Sequence, residues 1–371
     1  MNRGWIYKKL GLCYPNIKNG ANIKQVANAG GYPITRIETL SGGVFNRDRM
    51  GYADVHDLER YKEYVLEDGD LLMSHINSKT YIGRTVEYKV REDEHIIHGM
   101  NLLRLKGNDG SLLSSFFAYY TQSNSFKSDV ARIRKDAVNQ SSFAISDLKD
   151  FEIPVPSTEE QKTVIEELDA INTLIAIKEK QLRELEELEQ TIFHEMFGNP
   201  IDNEKGWDIK VFSDCFTLKS GTCLSSKKIC LGEFPIYGGN GIVGYHNVHN
   251  LEGDNIIIGR VGALCGNVRN VIGQVFVTDN AFIMIKKIDM NNKFIEHLLT
   301  HINLRVYAHD ALQPVISNTT LKNINVILPP KMLQLHFAEK MQEIEILKDN
   351  LSTVKRDLEE LLASRMQYWF D

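Results

Sequence analysis

The sequence predicts an α+β protein: two β-rich domains in tandem, separated by two long helices that form an antiparallel coiled coil. Two observations carry this prediction. A charged stretch of helical period, free of proline, runs from Ser157 to Gly198, and a similar one runs from Lys331 to Asp371. A shift of 173 residues then lays Gln140–Gly198 on Gln313–Asp371 without a gap. The predicted divisions are 1–156, a first domain; 157–198, a spacer helix; 199–330, a second domain; and 331–371, a second helix.

The first helix is read from its apolar spacing. Ile165, Leu168, Ile171, Leu174, Leu185, Leu188, Ile192 and Met196 recur mostly three or four residues apart, as on one face of an amphipathic helix. Pro154 and Pro156 precede it and Asn199-Pro200 follows it. At 1.5 Å per residue it would span about 57 Å, long for an element of a compact core and suited to a spacer. The second helix carries Phe337, Met341, Ile344, Leu347, Leu351, Val354, Leu358 and Leu361. Two such stripes of equal length can bury each other, leaving some surface for partners.

The repeat extends beyond charge and leucine. Leu148/Leu321, Lys149/Lys322, Pro156/Pro329 and Gln161/Gln334 match in the loop and helix start, and Phe197/Phe370 at the helix end. Upstream, Trp5 and Trp207 are each followed eight residues later by a cysteine, Cys13 or Cys215. Lys18-Asn19-Gly20 resembles Lys219-Ser220-Gly221, and Gly30-Gly31-Tyr32-Pro33-Ile34 resembles Gly232-Glu233-Phe234-Pro235-Ile236. Within the domains, 255–261, 275–287 and 101–106 read as strands. Helical stretches are expected near 115–126 and 292–304, and a polar loop over 238–247.

Composition is that of a globular protein, 43% hydrophobic and 25% charged. No run of about 18 apolar residues is present, and the start MNRGWIYKKLGLCYPNIKNG has no uninterrupted apolar core, so a cytoplasmic protein with no membrane partner is expected. Five cysteines (Cys13, Cys215, Cys223, Cys230, Cys265) without CxxC spacing read as reduced, mostly buried thiols. The net charge of −6 is unevenly spread: residues 157–198 hold 4 Lys/Arg against 11 Asp/Glu, while residues 1–156 hold 21 against 19. Phosphate binding by this chain alone should therefore be weak, although either domain could present a basic face.

Candidate catalytic patterns fail on context. Gly239-Asn240-Gly241-Ile242-Val243-Gly244 has the glycine spacing of a dinucleotide fingerprint, but a poor helix former follows it; a permissive recognition loop is the better reading. His297 and His301 stand four apart without the Glu of a metalloprotease, and no cluster has metal-ligand spacing. Asn199-Pro200-Ile201-Asp202 is not the Asn/Asp-Pro-Pro-aromatic site of an adenine methyltransferase. No metal, cofactor or catalytic residue is expected in this chain.

The tandem resembles the specificity (S) subunits of type I restriction–modification systems over essentially its whole length. The repeated exit SDLKDFEIPVPSTEEQ (146–161) carries the likeness, with TTLKNINVILPPKMLQ (319–334) and PIYGGNGIVGY (235–245). The resemblance implies two target-recognition domains, each reading one half of an asymmetric bipartite site in double-stranded DNA, with the helices setting the spacing. It also implies partners: two modification subunits that carry S-adenosylmethionine and methylate adenine N6, and restriction subunits that use ATP and Mg.

Side chains able to read base edges are Asn46, Arg47, Arg49, His75, Asn77 and Lys79 in the first domain, and Asn240, His246, Asn247, Arg260 and Arg269 in the second. Lys18, Arg84, Arg132, Arg134, Lys219 and Arg305 are phosphate-contact candidates. Two other classes stay open: a stand-alone DNA-modifying enzyme, and a coiled-coil scaffold without sequence specificity.

Overall fold

The computed structural model describes residues 4–26, 31–107, 110–138, 140–225, 232–262, 264–309 and 314–371. Gly30, Cys230 and Gln313, used in the sequence reading, lie outside them. The chain forms two compact units, Met1–Ile177 with Lys355–Asp371, and Lys178–Val354. Each unit therefore holds one globular part and a portion of each long helix.

In unit 1 an antiparallel sheet runs in the order Asn16–Asn19, Leu102–Lys106, Leu71–Ser74, Thr85–Glu87. It is covered on both faces, which explains its continuous apolar runs. Leu71, Met73, Leu103 and Leu105 meet Phe116, Phe117, Phe126 and Val130 of two short helices. Their neighbours Leu72 and Leu102 pack with Leu40, Leu66 and Ile96 on the other side. Successive strand side chains point to opposite faces, so a strand buried on both sides cannot alternate polar and apolar.

Unit 2 repeats this plan with Phe216–Ser220, Ala281–Lys286, Asp254–Gly259 and Val268–Ile272. Ile256 and Ile258 enter one cluster and Ile257 the other. In each unit the first strand pairs with the last, Ile6–Lys9 with Glu152–Val155 and Asp208–Val211 with Asn325–Leu328. The shared glycine of the KNG and KSG motifs has one steric cause. A Cβ on Gly20 would lie 2.1 Å from the His98 carbonyl oxygen, and one on Gly221 2.2 Å from that of Thr278.

The long helices span Thr158–Phe197 and Lys331–Phe370, 40 residues each. The first opens with a capping box: Ser157 Oγ accepts the Glu160 N–H at 3.3 Å, and Glu160 accepts the Ser157 N–H at 3.1 Å. It ends at Gly198, whose φ of 73° is the left-handed conformation that stops a helix. The helices pack antiparallel. Glu167 pairs with Arg365 in unit 1, while Glu189 pairs with Lys348 at 2.8 Å in unit 2.

The apolar stripes are buried over part of their length and leave some surface, as expected. Val164, Leu168, Phe337 and Met341 are enclosed, but Leu174, Leu188, Leu347, Val354 and Leu361 are 43–50% exposed. The buried residues pack into clusters with the globular parts, and one helix neighbour alone does not cover the exposed ones. The expected loop over 238–247 is a β-hairpin, Phe234–Gly238 with Gly241–His246, turning through Gly239-Asn240. Gly241, at a φ of 111°, supplies the backbone freedom there. The run 275–287 is broken by a turn into Phe276–Val277 and Ala281–Lys286.

Candidate nucleic-acid interface

The two units match down to single hydrogen bonds. The Ser74 N–H donates to the Arg84 carbonyl at 2.9 Å and the Gly83 N–H to the Ser74 carbonyl at 2.7 Å; Gly259, Asn267 and Gly266 make the same pair at 2.9 and 2.7 Å. Gly83 and Gly266 both have positive φ. The connection 75–84 of unit 1 thus corresponds to 260–267 of unit 2. His75 corresponds to Arg260, and Arg84 to Asn267. One backbone site carries chemically different donors in the two units.

In unit 1 the structure gathers three predicted residues, Lys79, Arg84 and Arg134, around a cleft of about 690 Å³. The connection 75–84 forms one wall and the helix Asn124–Ile133 the other, with Ile82, Phe126 and Val130 as an apolar floor. Lys127 and Gln122, absent from the sequence-based set, also line it. The sequence reading ran one helix over 115–126. The structure breaks it into Ser114–Tyr120 and Asn124–Ile133, where Ser123 caps the second helix by accepting the Phe126 N–H at 3.1 Å. That cap was the signal that could have placed Lys127 on a helix.

Asp136 organises this region. It pairs with Lys79 at 2.9 Å and Arg134 at 2.8 Å, and accepts the Ser141 hydroxyl at 2.7 Å. The Ser141 hydrogen bond first, then Lys79 and Arg134, hold its carboxyl well below the usual range, so it is ionised at neutral pH. Arg84 lies over the Tyr81 ring at 4.5 Å.

Other predicted residues of unit 1 are engaged elsewhere. Arg47 grips Glu94, with its Nε at 2.9 Å, and packs between Phe45 and Tyr88. Lys18 pairs with Glu63 at 2.9 Å and Arg132 with Asp129. Asn46 caps a short turn by accepting the Asp48 N–H, Asn77 bonds Ser74, and Arg49 is exposed. His75 is 7% exposed against Phe143, and burial lowers its pKa. In this structure His75 is largely an interior residue, not the exposed base reader expected.

In unit 2, Asn240 sits at the hairpin turn, where its carbonyl accepts from Arg269 at 3.5 Å, with Asn247 exposed just beyond the hairpin's second strand. His246 lies against Phe276, and Arg260 against Phe282 at 5.3 Å. Arg305 lines a smaller cavity of about 280 Å³ beside Cys265, and Lys219 is exposed on its strand. Among the described residues no His/Cys/Asp/Glu group could hold a metal ion, and no helix is long and apolar enough to cross a membrane.

A duplicated scaffold with unlike polar side chains at matching positions, joined by paired long helices, defines a tandem recognition protein. The comparisons identify which one. Residues 5–187 and 204–360 match the type I restriction modification DNA specificity domain. A protein assigned as the MjaX type I restriction enzyme specificity subunit of Methanocaldococcus jannaschii is 28% identical over 393 residues, covering 95% of this chain and 88% of that protein. The EcoprrI specificity subunit of Escherichia coli is 29% identical over 152 residues, 40% of this chain and 38% of its own.

The crystal structure of the type I restriction-modification S subunit from M. genitalium has a TM-score of 0.63 at 18% identity, covering 98% of this chain and 96% of its own. A chain from structural work on assembly and conformational transition of the type I R-M system scores 0.57 at 14% identity, covering 100% and 98%. The chain belongs to the type I restriction–modification specificity family, as a specificity subunit with two target-recognition domains.

Proposed function

We propose that each unit reads one half of an asymmetric, bipartite site in double-stranded DNA, and that the long helices set the distance between the halves. The observation that supports this reading is one scaffold with two sets of side chains: the backbone bonds of Ser74, Gly83 and Arg84 recur at Gly259, Gly266 and Asn267, while the residues along the two connections differ. Equal scaffolds present DNA with equal geometry, while unequal donors and acceptors select different bases. The half-exposed apolar residues of the helices, Leu174, Leu347 and Val354 among them, suit docking of two modification subunits. Those subunits would supply S-adenosylmethionine and the adenine-N6 chemistry in the cytoplasm. Restriction subunits with ATP and Mg would complete the assembly, and this chain would carry no catalytic step.

Mapping N6-methyladenine in cells expressing the chain with its modification subunit tests this. One split motif is expected, and exchanging residues 1–156 for those of another specificity subunit should change only one half. If both halves changed together, the assignment of one unit to one half-site would fail. Removing seven residues from the middle of each long helix should shorten the reach by about 10 Å, or about three base pairs. A folded variant that methylated at the original spacing would rule out the spacing role.

A further inference from the structure

We propose that the cleft of unit 1 holds the phosphodiester backbone of the duplex, with Lys127 as a phosphate contact. This rests on the DNA-reading function above and adds where one strand runs. Four cations line the cleft: Lys79, Arg84, Lys127 and Arg134. Among the described residues no carboxylate lines it, and Asp136, which pairs with Lys79 and Arg134, offsets one of the four charges. Elsewhere in the unit Lys18, Arg47 and Arg132 each have a carboxylate of their own, in Glu63, Glu94 and Asp129. Positive charge is thus in excess at the cleft.

Geometry adds to charge. Asp136 holds Lys79 and Arg134 in place before any ligand arrives, which lowers the ordering cost of a phosphate contact. The apolar floor of Ile82, Phe126 and Val130 excludes water from one side and strengthens the field above it. Lys127 is exposed, and no hydrogen bond or ion pair of its ammonium is found among the described residues. It stands on the helix wall facing the connection.

The cavity is a feature of the repeated scaffold. Unit 2 has one beside the matching connection 260–267, at the end of the helix Asn292–Ile302 and the residues after it, with Arg305 among its lining. The unit 2 cavity is smaller and, among the described residues, has one cation where unit 1 has four. Unit 1 should therefore supply most of the backbone contacts. Lys79, expected from sequence to read a base, becomes a backbone contact, because its ammonium is tied to Asp136 beside the other cleft cations.

The test is duplex binding by the complex with modification subunits, titrated over a range of salt, with Lys127→Glu, Lys127→Arg and Arg84→Ala. Lys127→Glu should weaken target and scrambled duplexes by the same factor, on the order of tenfold. Removing one phosphate contact should also reduce the salt slope by about 1. Lys127→Arg should bind as wild type, and the methylated motif should not change. Unchanged affinity and slope for both charge-removing variants, with normal unfolding curves, would overturn the proposal. So would a changed motif, which would make the cleft a base reader. A wild-type complex that did not prefer its target over a scrambled duplex would instead overturn the DNA-reading function itself.

Discussion

The side-chain carbonyl of Gln161 accepts the backbone N–H of Leu113 at 2.8 Å, tying the first turn of the long helix to the segment that opens the short helix Ser114–Tyr120. Its amide donates to the Ser111 and Pro156 carbonyls at 2.8 and 2.9 Å. In unit 2, Gln334 accepts the Asn291 N–H and donates to the Pro329 carbonyl, both at 2.9 Å. The glutamine of the sequence repeat is thus a buried clamp, 0% exposed in one unit and 3% in the other.

Gln161→Ala should cost about 2–3 kcal/mol, because it leaves buried backbone groups without partners. Gln161→Glu should cost at least as much, since a carboxylate would then face two carbonyl oxygens. Urea unfolding of each variant beside wild type checks both. A near-neutral Gln161→Ala would show that water replaces the clamp.

Glu167 accepts hydrogen bonds from Arg365, with Nη2 at 3.0 Å, and from Trp369 Nε1 at 3.0 Å. Arg365 first, then Trp369, keeps its carboxyl below the ordinary glutamate value of 4.5. A depressed carboxylate stabilises the folded state above its unfolded pKa, and that contribution fades as pH falls through the folded value. Glu167→Gln should therefore be less stable than wild type near pH 7, by about 0.5–1 kcal/mol for a partly exposed pair. The difference should shrink as pH falls below 4.5. A gap independent of pH would mean that packing, not charge, holds this contact.

Burial, helped by Lys293, His301 and Lys348, lowers the pKa of His297 to about 3. The unfolded chain then binds the proton first, so stability is full above the ordinary histidine value of 6.5 and declines as pH falls toward the folded value. His297→Leu should lose less stability than wild type on acidification from pH 6.5. Parallel acid profiles of the two proteins would disprove a neutral, buried His297.

Arg47 is fully committed to its own domain, bonding Glu94 and donating to the Lys89 carbonyl at 2.8 Å. Arg47→Ala should destabilise unit 1 by about 1–2 kcal/mol and leave the methylated motif unchanged. A motif change in a protein of wild-type stability would restore Arg47 as a base reader.

The limits of sequence reading can be traced to particular elements. The helix Thr158–Phe197 was legible from its period and its flanking breaks, because both are local properties of the chain. The likeness of Glu152–Val155 and Asn325–Leu328 was legible from the repeat, but their pairing with the first strand of each unit came only from the fold. The hairpin over 234–246 was missed, although Gly239-Asn240 is a two-residue turn signal, because the polar residues around it suggested a loop. Lys127 was missed because the break at Ser123 was not recognised as a helix start.

The sequence by itself determined the duplicated α+β architecture, the long helices and their antiparallel sense. Those follow from period, backbone-breaking residues and internal repetition, all of which are written along the chain. Only the tertiary structure decided which cations line the cleft. Arg47 and Arg84 look alike in sequence, yet Glu94 claims the first and the cleft receives the second. An ion pair is set by which distant carboxylate the fold brings within reach, and no local pattern carries that distance.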